Sequence, residues 1–146
     1  MQHSFVKNWI HLIWTTKNRE RNLHVDLRVA LFNHLVEKAE ELNILIEKIN
    51  VQPEHIHLLF NLPSDKKLKD MVKQLKGESS RWINENGLVQ DRFHWQRGYG
   101  AFSVSASQIE TVKNYIHNQD EHHRRRTSTE EYDMLIKKFG FDNGNR

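Results

Sequence analysis

The chain has 146 residues, 37% hydrophobic and 28% charged, which suits one folded domain of ordinary size and excludes a wholly disordered chain. It has no cysteine, which rules out disulfides, thiolate metal centres and a cysteine nucleophile. The net charge of +3 permits a polyanionic partner without requiring one, although positive residues gather in KKLKDMVKQLKGESSR (66–81) and HHRRR (122–126).

No apolar run approaches the roughly 20 residues that span a bilayer. The opening MQHSFVKNW lacks the charged-then-apolar pattern of a signal peptide. A cytoplasmic protein without membrane association is therefore expected.

In chain order, SFVKNWIHLIWTT (4–16) is β-branched and aromatic, with Val6, Ile10, Leu12 and Trp14 on one face, and predicts a strand. Asp26 is placed to cap a helix carrying Leu27, Ala30, Leu31, Leu35, Ala39 and Leu42 and ending near Asn43. ILIEKINVQ (44–52) predicts a second strand, closed by Pro53, and HIHLLFNL (55–62) a third. Ser64 is placed to cap a helix to about Asn86, with Leu68, Met71, Val72, Leu75, Trp82 and Ile83 inward. The loop NGLVQDRFHWQRGYG leads into a short strand, AFSVS. Ser107 and Glu110 have capping-box spacing for a helix over 108–122. A last amphipathic segment, about 129–139, carries Tyr132, Leu135, Ile136 and Phe139.

The resulting order, β-α-β-β-α-β followed by helices, predicts an α+β, ferredoxin-like split β-α-β sandwich. Its four-stranded antiparallel sheet has helices on one face and a C-terminal, tyrosine-bearing helix. The second face must be covered by the C-terminal helices or by a partner.

EHIHLLFNL (54–62) sets two histidines one residue apart in an apolar run. Alternation puts His55, His57 and Leu59 on one face and Ile56, Leu58 and Phe60 on the other. If the second trio packs on the helices, the histidines share the second face, with Cα atoms about 7 Å apart. They are then able to converge on one divalent ion. Such an ion needs a further ligand, and the 108–122 helix carries a polar stripe of Tyr115, Gln119 and His122 beside the apolar Ile109, Val112 and Ile116. Beside a metal, that stripe offers a phenolic nucleophile next to an amide donor.

These segments resemble a known family, the single-tyrosine transposases of the HUH nuclease superfamily, which minimal bacterial insertion sequences encode. PEHIHLLF is similar to their histidine–hydrophobic–histidine strand, and VKNYIHNQDEHH to their tyrosine helix. HLIWTTKNR (11–19) is similar to their opening strand and basic turn, and WQRGYGAFSVS to the segment leading into the tyrosine helix. The similarity runs from about residue 5 to 140, which implies a single domain over 1–146.

The resemblance implies a metal-dependent transposase that cleaves and rejoins single-stranded DNA through a covalent 5′-phosphotyrosine. Tyr115 falls at the nucleophile position and Gln119 at the third metal-ligand position beside His55 and His57. It further implies Mg2+ or Mn2+ as cofactor, hairpin-bearing single-stranded DNA as substrate and a homodimer in a bacterial, nucleoid-associated setting. In that homodimer one subunit's tyrosine helix can complete the other's site. Lys17, Arg19, Lys73, Lys76, Arg81 and Arg97 are candidate phosphate contacts, and Trp95 a candidate base-stacking surface.

Other readings share these residues. A domesticated HUH-type nuclease would have the same catalytic set. A non-catalytic ferredoxin-like nucleic-acid-binding module is suggested by RGYGAFSV (97–104), which mimics the RNP1 signature but has Ala101 where an aromatic belongs and falls on the fourth strand, not the third. A hydrolytic metalloenzyme would need a carboxylate-rich cluster, and Glu54 and Asp120 both read as pointing away from the histidines.

Overall fold

A computed structural model of the protein describes residues 4–120 and 127–138. The elements are β1 (Trp9–Thr15), α1 (Val25–Glu41), β2 (Ile46–Val51), β3 (His55–Asn61), α2 (Leu68–Glu85), β4 (Gly100–Val104), α3 (Ile109–His117) and α4 (Ser128–Lys138). The sheet order is β2-β3-β1-β4, with every neighbouring pair antiparallel, which is the split β-α-β topology.

Alternation along the two central strands divides the sheet. Ile10, Leu12 and Trp14 of β1 and Ile56, Leu58 and Phe60 of β3 join the main core with Leu27, Leu31, Leu35 and Ala39 of α1 and Met71, Val72, Leu75 and Ile83 of α2. The second face is covered by this chain's own C-terminal helices. Asn50 of β2 donates Nδ2–H to the Ile116 carbonyl of α3 at 2.9 Å, and Leu135 and Ile136 of α4 pack with Ile13 and Phe102. Among the described residues, no helix is long and apolar enough to cross a membrane.

Several local expectations are corrected. The first strand begins at Trp9, and Val6 is half exposed outside it. His24, not Asp26, caps α1, its ring accepting Leu27 N–H at 3.3 Å. Ala30 is exposed. The N-cap of α2 is Lys67, three residues after Ser64. The Ser107–Glu110 capping box does not form: Ser107 lies inside a 3-10 turn (Ala106–Gln108), with its hydroxyl 3.2 Å from that of Ser105. The α3 helix stops at His117, although residues 119 and 120 are again helical. His122, Phe139 and the HHRRR run lie outside the described residues.

The two glycines around Tyr99 act differently. Gly98 has φ of +84°, a left-handed turn position that favours glycine. Gly100 has ordinary strand geometry but lies under the Tyr132 ring, where a Cβ would come within 2.7 Å of Cε2. Gly100→Ala is therefore expected to push α4 off β4 and to cost about 1–3 kcal/mol, as overpacking does. Thermal unfolding measures the cost, and an unchanged melting temperature would show that the ring moves aside freely.

Candidate active site

The turn that closes the β2–β3 hairpin places the histidines. Gln52 N–H donates to the His55 carbonyl at 2.8 Å around Pro53, so β3 begins at His55 itself. His55 and His57 then point to the second face, where α3 and α4 bury both to about 1% exposure or less. Their ring centroids are 4.9 Å apart.

Three side chains gather at the rings' Nε2 edges. Glu131 of α4 sets Oε1 at 2.8 Å from His57 Nε2 and 3.5 Å from His55 Nε2. Gln119 sets Oε1 at 3.3 Å from His55 Nε2 and donates Nε2–H to the Tyr115 carbonyl. Tyr115, half-buried on α3, donates its hydroxyl to Glu131 Oε2 at 2.5 Å. The four residues foreseen as the catalytic and metal set, His55, His57, Tyr115 and Gln119, are thus brought together within one chain.

Three groups in the site were not foreseen. Glu131, on α4, is only 2% exposed and is the carboxylate that joins phenol and imidazole. Its signal was available, since Glu131 precedes Leu135 by one helical turn and so places an acid on the apolar stripe. Glu54 was expected to point away. Instead it is buried, with Oε1 2.7 Å from His55 Nδ1 while Oε2 accepts from Arg21 at 2.7 Å. His11, on β1, lies with Nε2 2.9 Å from His57 Nδ1, the two rings stacked at 5.1 Å. Its signal was its place on β1 opposite to Ile10, Leu12 and Trp14.

Charge follows from these contacts. Burial and the neighbouring His57 lower the His11 pKa to about 3, so this ring is neutral. Burial works against charge on His55, but the hydrogen bonds and negative charges of Glu131 and Glu54 outweigh it and hold its pKa above the ordinary value. One nitrogen from each of His55 and His57 and one Glu131 oxygen lie within 4.8 Å of one another, a mixed nitrogen and oxygen set able to hold a divalent ion.

The basic and aromatic candidates divide by location. Arg19 and Arg97 line a small pocket with Ile13, Tyr99 and Tyr132, on the face that carries the histidines. Lys73, Lys76 and Trp95 line a separate groove of about 430 Å³ beside α2, together with His94 and Tyr99. Lys76 donates to the carbonyls of Gln96 and Gly98, each at 2.8 Å, and so clamps the loop before β4. Trp95 donates Nε1–H to Ser79 and sets its ring edge-on to Trp14 and Phe93, which anchors it to the core. Lys17 and Arg81 are exposed. Tyr99 packs against the main core and Tyr132 against the α4 cluster.

The chain resembles known transposases in sequence and in fold. It is 28% identical over 114 residues to the ISDra2 transposase TnpA of Deinococcus radiodurans, covering 75% of this chain and 81% of that protein. It is 25% identical over 114 residues to the transposase for insertion sequence element IS200 of Salmonella typhimurium, covering 75% of this chain and 74% of that protein. A crystal structure of a candidate transposase from Deinococcus radiodurans superposes with a TM-score of 0.65 at 26% identity, covering 82% of this chain and 95% of that one. A REP-associated tyrosine transposase bound to a REP hairpin shares the fold, with a TM-score of 0.61 at 17% identity over 84% of this chain and 73% of that one. The family model described as "Transposase IS200 like" matches residues 4–119, and the chain accordingly belongs to the IS200-like transposases.

Proposed function

We propose that this transposase is metal-dependent and cuts and rejoins single-stranded DNA through a covalent 5′-phosphotyrosine on Tyr115. The observation that carries the reading is the buried chain of contacts Tyr115–Glu131–His57, with links of 2.5 and 2.8 Å. A phenol has an ordinary pKa near 10 and needs help to lose its proton at neutral pH. Glu131 Oε2 is in contact with that proton and is the group placed to accept it. The Tyr115 oxygen then attacks phosphorus, and the 3′ oxygen leaves with the electron pair of the broken P–O bond and takes a proton from water. Return attack by a 3′ hydroxyl reverses the step, and the ester conserves the bond, so rejoining needs no ATP.

His55, His57 and Gln119 are the ligand set for Mg2+ or Mn2+, with Glu131 Oε1 placed to add a fourth donor. When bound, such an ion polarises the phosphate and offsets its developing charge. Two imidazoles, an amide oxygen and a carboxylate suit a hard divalent cation of this kind. Within this reading, Arg19 and Arg97 guide the strand on the catalytic face, and the groove of Lys73, Lys76 and Trp95 takes DNA on the other side, with Lys17 and Arg81 as outlying phosphate contacts. Hairpin-bearing ends as substrate draw support from the hairpin on the REP-associated neighbour. The whole of 1–146 acts as one domain, working beside the nucleoid as a homodimer.

The test uses labelled single-stranded DNA from the flanks of the protein's own gene, Mn2+ and a denaturing gel. An adduct that survives denaturation and vanishes with chelator is expected. Metal-dependent cleavage without an adduct would point to hydrolysis, and binding without cleavage to a non-catalytic module.

Because Tyr115 meets Glu131 and His57 of its own chain, the tyrosine acts in cis in this proposal. Mixing Tyr115→Phe with His57→Ala subunits is then expected to restore no cleavage. Recovery of activity in verified heterodimers would show that the tyrosine helix exchanges between subunits.

A further inference from the structure

The site histidines are gripped from behind in matched fashion. Their Nε2 atoms face Glu131 and Gln119, while their Nδ1 atoms point the opposite way, to Glu54 at 2.7 Å for His55 and to His11 at 2.9 Å for His57. An imidazole offers its Nε2 lone pair to a cation only when the proton sits on Nδ1, and in a buried site that proton needs an acceptor. Glu54, braced by Arg21, supplies a carboxylate for His55.

We infer that His11 is the positioning residue for His57, its Nε2 accepting the Nδ1–H of His57 so that the His57 Nε2 faces the ion. The inference rests on the reading that His55 and His57 hold a divalent cation. It stands on placement rather than on sequence proximity. β1 pairs with β3 so that Ile13 lies opposite His57 and His11 opposite Leu59, which makes His11 the diagonal neighbour of His57 on the same face. The His11 ring is 4% exposed, and its tilt is fixed by the edges of Phe102 at 6.3 Å and Tyr115 at 6.2 Å. A ring nitrogen that can accept is what this position needs, and a ring set edge-on to two aromatics holds its partner's direction. His11 touches neither the ion nor DNA in this scheme and acts through His57 alone.

The experiment is Mn2+ binding by calorimetry on the full chain, alongside cleavage titrated with Mn2+. His11→Phe keeps a ring in the space and removes the acceptor. It is expected to weaken Mn2+ binding by about 10–100-fold, the usual effect of losing a partner behind a metal-bound histidine. Cleavage should recover most of its maximum at saturating Mn2+. His11→Gln, whose amide oxygen can accept, is expected to regain part of the affinity, and Glu54→Gln to weaken it in the same way through His55. Should His11→Phe fail to fold, as read by circular dichroism, His11→Gln and His11→Asn carry the comparison. Wild-type Mn2+ affinity in a folded His11→Phe would overturn the inference while leaving the metal site standing. No Mn2+ binding by the wild-type protein would remove the metal reading and the inference with it.

Discussion

Tyr115→Phe is expected to abolish the covalent protein–DNA adduct and to lower strand cleavage by about 10³-fold or more, the scale on which loss of a nucleophile acts. The substitution is close to a single-atom change. The phenylalanine ring would still meet the edges of His11 and His57, which lie 6.2 and 6.0 Å from the Tyr115 ring. The lost hydroxyl removes one hydrogen bond to Glu131, a change of about 1–2 kcal/mol in stability, and Glu131 keeps its bond to His57 at 2.8 Å. Melting temperature should therefore fall by only a few degrees, and Mn2+ affinity stay near wild type, while the adduct vanishes. Tyr99→Phe and Tyr132→Phe serve as controls, because both rings belong to packed apolar clusters. Both are expected to form adduct. An adduct persisting in Tyr115→Phe and vanishing in either control would move the nucleophile to that residue.

The sheet and the histidine pair were legible because they rest on local alternation. Ile56, Leu58 and Phe60 had to be inward, so His55 and His57 had to face the other way, and β3 has that geometry. Tyr115 and Gln119 were legible from their spacing of four residues together with the family resemblance. The parts that stayed hidden depend on pairing between distant segments. His11 meets His57 only because β1 lies next to β3, and a strand's own pattern does not say which strand it pairs with. Glu131 comes from α4, beyond residue 119 where the family match ends, and reads at first sight as one more acid in an exposed STEEYD segment. Glu54 was assigned by strict alternation to the wrong side. It lies just before β3 in the hairpin turn, where alternation no longer holds, and its carboxylate reaches round to the Nδ1 of the next residue. The capping box failed for a related reason: Ser107 was already committed to a 3-10 turn that delivers the chain from β4 into α3.

The division of labour between the two oxygen donors gives the second large effect. His57→Ala removes an imidazole that bonds Glu131 on one side and His11 on the other, and is expected to weaken Mn2+ binding by more than the roughly 10–100-fold typical of an outer partner. Cleavage should be lost with it. Glu131→Gln and Gln119→Ala then separate two roles that overlap in space. Glu131 bears the charge, and carboxylate count tunes the affinity of hard divalent ions. It also accepts the Tyr115 hydroxyl, so its amide would both weaken the ion's hold and leave the phenol with a poorer proton acceptor. Gln119 contacts His55 and the Tyr115 carbonyl, and its neutral amide is no acceptor for a phenol's proton at neutral pH. Glu131→Gln is therefore expected to stay slow even at saturating Mn2+, whereas Gln119→Ala should recover as Mn2+ is raised. Full recovery of Glu131→Gln at high Mn2+ would reduce Glu131 to a ligand. Unchanged Mn2+ affinity in Gln119→Ala would leave the ion to His55, His57 and Glu131, and would make Gln119 a brace for the ring of His55.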